Sequence, residues 1–236
     1  MFNFEIVFLI TAMEKLPDYI AIVFGLTTFI TLALFYKATK KSKIAISILS
    51  VWLILQTIIS LTGFYTVTDT IPPRFILLVL PPVIMIIILF LTPKGRMFID
   101  GLDIKTLTLL HIVRVPVEIV LFWLFIYKAI PELMTFEGRN FDIVSGITAP
   151  LIYYFGFVLI RLNKKILIFW NVLCLMLLLN IVLNAVFSAP FPFQKFAFDQ
   201  PNIAVLYFPF IWLPSVIVPL VLFSHLAVIR QLLKKN

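Results

Sequence analysis

Apolar runs recur along this chain, broken at intervals by short clusters of charged, Pro and Gly positions. About 20 residues at 1.5 Å rise cross the ~30 Å hydrocarbon core, so each run has the length of a membrane-crossing helix. The runs predict seven spans, at 19–36, 44–64, 75–92, 106–128, 142–160, 166–188 and 204–229. The first 16 residues, MFNFEIVFLITAMEKL, lack the basic start of a signal peptide. Their apolar part is too short to cross before Glu14, Lys15, Pro17 and Asp18 interrupt it, which predicts a short N-terminal interfacial helix. The expected fold is an all-α integral membrane protein, a seven-transmembrane-helix bundle forming one domain over residues 1–236.

Composition agrees with the pattern. Apolar residues make up 62% of the chain and charged residues 13%, about half the usual share in soluble domains. Mean hydropathy is +1.13, and no separate soluble domain fits in the remaining residues. The net charge of +8 would point to nucleic acid in a soluble protein; here its distribution explains it otherwise. Thirteen of the 19 Lys and Arg fall in the connections after spans one, three and five and in the tail: Lys37, Lys40, Lys41, Lys43, Lys94, Arg96, Lys105, Arg161, Lys164, Lys165, Arg230, Lys234 and Lys235. The other side holds Lys15, Arg74, Lys128, Arg139 and Lys195, with eight of the 11 acids. The positive-inside rule then puts the N-terminus outside and the C-terminus in the cytoplasm, as a multi-pass protein of the plasma (inner) membrane. The partner is the lipid bilayer, and no nucleic acid is needed. Cys174, the one cysteine, excludes an intramolecular disulfide or a thiolate metal cluster.

Two outer connections are longer than the rest. One is Ala129–Phe141; the other, Ser188–Asn202, reads SAPFPFQKFAFDQPN and suits a cap at headgroup level. No internal repeat is visible.

Function must come from the few polar residues inside the spans. The fourth carries His111, Arg114 and Glu118 at i, i+3 and i+7, on one helical face. A charge facing lipid costs at least ~2.5–3.5 kcal/mol, so this face turns toward protein or water. Pro116 frees the carbonyl of Ile112 and predicts a kink there. Arg114 and Glu118 form the expected charge pair, which either meets a ligand or simply locks the packing.

His111 and His225, the two histidines of the chain, lie about 9 and 8 Å above the basic ends of their helices. A shared layer is what a bis-histidine haem b or a metal ion would require, although buried histidines more often hydrogen-bond between helices. Farther out, Gln56, Glu118, Asn180 and Asn184 share a second layer, with Asn171 on the opposite face of its helix from Asn180. Glu137, Arg139 and Asp142, in EGRNFD, would close the outer end if that segment folds inward. Ordinary interhelical hydrogen bonding is the plain alternative for each Asn and Gln.

Known seven-helix families are not matched. The seventh span lacks the lysine of microbial rhodopsins, and the D/ERY and NPxxY motifs of G-protein-coupled receptors are absent. Cys174, Arg114 and His225 supply the residue types of exosortase-type membrane peptidases without their local motifs. The leading expectation is a transporter or receptor-like protein that binds or translocates a small molecule or ion. Its intramembrane cavity would be lined by Arg114, Glu118, Gln56, Asn180 and Asn184. A haem- or metal-dependent redox enzyme using His111 and His225 is the second reading, and a structural subunit of a membrane complex the third.

Overall fold

Every regular element is helical, and no strand occurs among the described residues. The computed structural model describes residue 13 and residues 15–234; the expected N-terminal helix falls almost wholly outside the described residues. Among the described residues there are nine α-helices: α1 (Asp18–Ala38), α2 (Lys43–Leu61), α3 (Ile76–Leu91), α4 (Pro93–Asp100), α5 (Ile104–Leu110), α6 (Arg114–Ile126), α7 (Ile143–Tyr153), α8 (Lys164–Ser188) and α9 (Val218–Lys234). Among the described residues, five helical stretches are long and apolar enough to cross a membrane, or six if the bent pair α3–α4 counts as one. Helix α7, with the π turn that extends it to Val158, is apolar but shorter.

The basic connections start their helices with side-chain caps. Ser42 accepts from the Ala45 N–H, Thr92 from Gly95, Asp103 from Lys105 and Thr106, and Asn163 from Ile166. Each satisfies backbone donors that the first helical turn leaves free. Between α3 and α4 the chain turns by 92°. Gly95 makes the turn possible, because a Cβ there would strike the Leu89 backbone. The sequence pattern reads this stretch as a loop; α4 is instead a short helix across the end of the bundle.

Helices α5 and α6 form the centre, packed against α1, α7 and α9, with α8 on α9. The inward face of α1 presents Ile20, Phe24, Leu32 and Phe35, while Thr27, Thr28 and Thr31 return their hydroxyls to carbonyls one turn back. Helix α2 stands at the edge and exposes Ile48, Val51, Ile54, Leu55 and Ile58. In a bilayer such a face meets lipid without penalty.

Two breaks shape the centre. The α-helical ladder gives way to a 3₁₀ turn over His111–Val113, in the turn before Pro116. The last helix starts later than expected: residues 204–212 form a 3₁₀ turn and tight turns, and the helical stretch opens at Leu213 through a π turn, Leu213–Ile217, running to Lys234 rather than 229. The reason lies in Pro209, Pro214 and Pro219. A proline disfavours helical geometry in the residue before it and removes a donor. Pro219 cannot bond the Ser215 carbonyl, and the Trp52 indole of α2 donates to that oxygen at 2.9 Å.

Candidate functional site

The buried polar residues of α6, α7, α8 and α9 meet in one chain of contacts. It begins at Glu118, whose two carboxylate oxygens both accept from Asn140 Nδ2, at 2.6 and 2.7 Å. The same amide donates to the Met134 carbonyl at 3.0 Å, and Asn140 Oδ1 accepts from the Asp142 backbone N–H at 3.0 Å. Asp142 Oδ2 lies 3.1 Å from Arg114 Nε, with both side chains under one-tenth exposed. One turn before Arg114, the His111 ring stacks on His225, centroids 3.6 Å apart and planes 12° from parallel. His225 Nδ1 shares a hydrogen bond of 2.8 Å with Asn171 Oδ1, and Trp170 packs near both rings.

Local sequence explains this convergence. His111, Arg114 and Glu118 share a face of the central helix, as their spacing requires. Helix α7 approaches closely because Gly146 has no side chain: a Cβ there would come within 2.9 Å of the Val115 nitrogen. That approach sets Asp142 against Arg114. Trp170, Asn171 and Cys174 form one buried stripe of α8.

The expected charge pair is corrected by this geometry. Arg114 makes its ion pair with Asp142, and Glu118 takes Asn140; an Arg114–Glu118 bridge does not form among the described residues. Both Asn140 and Asp142 come from EGRNFD, whose inner half does fold down. Its outer half does not: Glu137 and Arg139 stay exposed. Asn180 is exposed too and donates to the Arg139 carbonyl at 2.7 Å, with Asn184 bonded to Asn180. Gln56 sits on α2, where the Tyr65 hydroxyl donates to it. None of these three amides contacts Arg114. Asn171, set aside by its helical face, is the amide that reaches the histidines. A sharper signal was its shared stripe with Trp170 and Cys174.

The histidines meet, yet not as ligands of one ion. An imidazole binds a metal in its ring plane, along a nitrogen lone pair, at about 2.0–2.1 Å for zinc. Rings stacked nearly parallel at 3.6 Å keep their in-plane positions about that far apart, so one iron or zinc cannot lie in both planes. Among the described residues, no group of three or more His, Cys, Asp or Glu is placed to hold a metal. Haem b or a metal ion bridging His111 and His225 does not fit this arrangement.

Hydrogen-bonding capacity is concentrated here. Of 11 buried side-chain N and O atoms without a partner among the described residues, eight belong to this cluster: three on Arg114, two on His111, and one each on His225, Asp142 and Ser145. The Arg114–Asp142 contact is close but misaligned, so none of the three guanidinium nitrogens makes a directed hydrogen bond. Each such group costs about 1–3 kcal/mol in a dry interior, and more when charged. A cavity of about 490 Å³ opens between the two outer connections, walled by Glu132, Gly138, Arg139, Asp199 and Gln200.

Residues 71–233 match the sequence pattern of a family described as a domain of unknown function, DUF8737. The chain belongs to this family. The DUF8737 stretch contains every residue of the cluster, and leaves out α1 and α2 with Gln56. No curated protein and no solved structure matches the chain.

Proposed function

We propose that this DUF8737 chain is a multi-pass plasma (inner) membrane protein that binds, and passes or senses, a small polar molecule or ion at the Arg114–Asp142 and His111–His225 layer. The observation that carries this reading is the gathering in one layer, among the described residues, of eight buried polar atoms that make no directed hydrogen bond. Such groups are rare in folded proteins, and ionisable residues within membrane spans usually mark ligand or ion pathways. Arg114 offers directed donors for an anion or a carboxylate; Asp142 and the histidine nitrogens offer acceptors for a proton or a cation. In this reading the ligand enters from the outer cavity at Gly138 and Arg139, next in sequence to Asn140, whose amide must then give way from Glu118. In the same reading the apolar helices make seven spans, with α3 and α7 as short ones, the N-terminus outside and the C-terminus in the cytoplasm.

Charge-neutral paired variants separate a ligand site from a packing device. Purified protein is screened by thermal shift against small anions, amino acids and monovalent cations, and proteoliposomes are assayed for uptake of whatever stabilises it. Wild-type protein should be stabilised by at least one solute, and the Arg114→Gln, Asp142→Asn double variant should fold but lose that response. If the double variant folds and keeps the full response, or no solute acts on the wild type, the layer is a packing device of a structural subunit.

A further inference from the structure

A second site, which shares no lining residue with the polar layer, lies between α2, α3, α4 and α9. An apolar groove of about 440 Å³ runs there, walled by Trp52, Pro81, Met85, Phe98, Leu220 and Phe223. Its size is that of a small-molecule site. The groove starts beside Ser42, at the cap of α2, and reaches Trp52. Ten residues of helix are about 15 Å, half the ~30 Å hydrocarbon core, so the groove is as deep as one leaflet. It ends where the Trp52 indole is pinned to the Ser215 carbonyl that Pro219 leaves free. At the other end α4, turned 92° from α3, contributes Phe98 across the mouth.

Charge marks that mouth. Lys41 and Lys43 flank Ser42, and Lys94 and Arg96 stand on α4; all four are exposed and none makes an ion pair with a described residue. Two further cations on this side, Arg230 and Lys234, are held by Asp100. A slot one leaflet deep, closed at mid-bilayer and ringed by unpaired cations at the surface, fits a single chain with a negative head. We infer that this groove holds one acyl chain of an anionic phospholipid, its phosphate at Lys41, Lys43, Lys94 and Arg96. Each juxtamembrane cation near an anionic surface strengthens binding about fivefold. The inference does not depend on the polar layer being a ligand site.

Native mass spectrometry of the full chain in detergent, with equal dioleoyl phosphatidylglycerol and phosphatidylcholine, tests it. Wild-type protein should keep one phosphatidylglycerol at least about tenfold more often than phosphatidylcholine. Replacing Lys41, Lys43, Lys94 and Arg96 together by Gln should abolish the preference, and Ala45→Trp, which fills the groove wall, should remove the bound lipid. Ala45→Leu serves if the tryptophan variant fails to fold, with an intermediate loss expected. Equal retention of both lipids, retention unchanged by a folded groove variant, or a second protein copy in place of lipid would each overturn the proposal. The solute response of the Arg114–Asp142 layer should survive these variants, which separates the two readings.

Discussion

Arg114 has the most to lose from a change of partner. It is 2% exposed and its partner Asp142 5%, so removing one leaves a stranded charge in an apolar interior. Arg114→Gln should lower unfolding stability in detergent micelles by about 3–5 kcal/mol, and adding Asp142→Asn should restore much of the loss. A double variant no more stable than the single one would show that the two side chains act separately. Asn140 makes a finer test, because its one amide spans both oxygens of Glu118. Asn140→Ala should cost about 1–3 kcal/mol, the range for leaving a buried partner unsatisfied, while Asn140→Asp sets two acids together and should cost more. At the surface, Asp100 answers to pH. Hydrogen bonds from Lys234 and Arg230 hold its carboxyl below the ordinary value of 3.8. The stabilisation is therefore complete above that value and fades as pH falls through the lowered one. Asp100→Asn should lower the melting temperature modestly near neutrality and make little difference in strong acid, so that the acid limb of the profile below about pH 4 is flattened.

Helix contacts depend on where side chains are missing. Gly146 brings α7 against the start of α6, with the Val115 Cγ2 only 2.8 Å from where a Cβ would stand. Gly25, in the middle of α1, has nothing within 4 Å of that position. Gly146→Ala should push α7 outward and cost about 1–3 kcal/mol, the usual range for overpacking. Gly25→Ala should be neutral or stabilising by up to about 1 kcal/mol, since glycine weakens a helix interior. Equal effects of the two substitutions on unfolding in micelles would contradict the close approach of α7. The prolines act in the opposite way, by releasing carbonyls. Pro219 opens the Ser215 carbonyl to Trp52, which ties the edge helix α2 to the last helix.

At the scale of the whole molecule, charge and burial divide the work. Basic residues and helix caps gather on one side, and the Phe-rich connection on the other binds back onto the bundle. There Gln200 donates to the Phe125 and Ile130 carbonyls at 3.1 and 2.6 Å, closing the end of α6. The proposed orientation predicts that a reporter fused after Asn236 is cytoplasmic. Single cysteines placed in 188–202, in a Cys174→Ala background, should react with an impermeant reagent added outside intact cells. Labelling of that loop only after the cells are opened would reverse the topology.

Hydrophobic run length by itself determined that the chain is helical and membrane-sized, because a bilayer demands about 20 apolar residues and internally satisfied backbone. Helical periodicity also determined that His111, Arg114 and Glu118 share a face. Pairing was beyond its reach. Whether Arg114 meets Glu118 or Asp142 depends on how closely α7 approaches, and that is decided by Gly146, a residue with no charge or pattern to mark it. The orientation of α8 is likewise a packing outcome: both Asn171 and Asn180 interrupt an apolar run, and only contact with α9 turns Asn171 inward to His225. Rotation about the helix axis decided the histidines as well, since matched depth is legible along a chain while the angle between two rings is not.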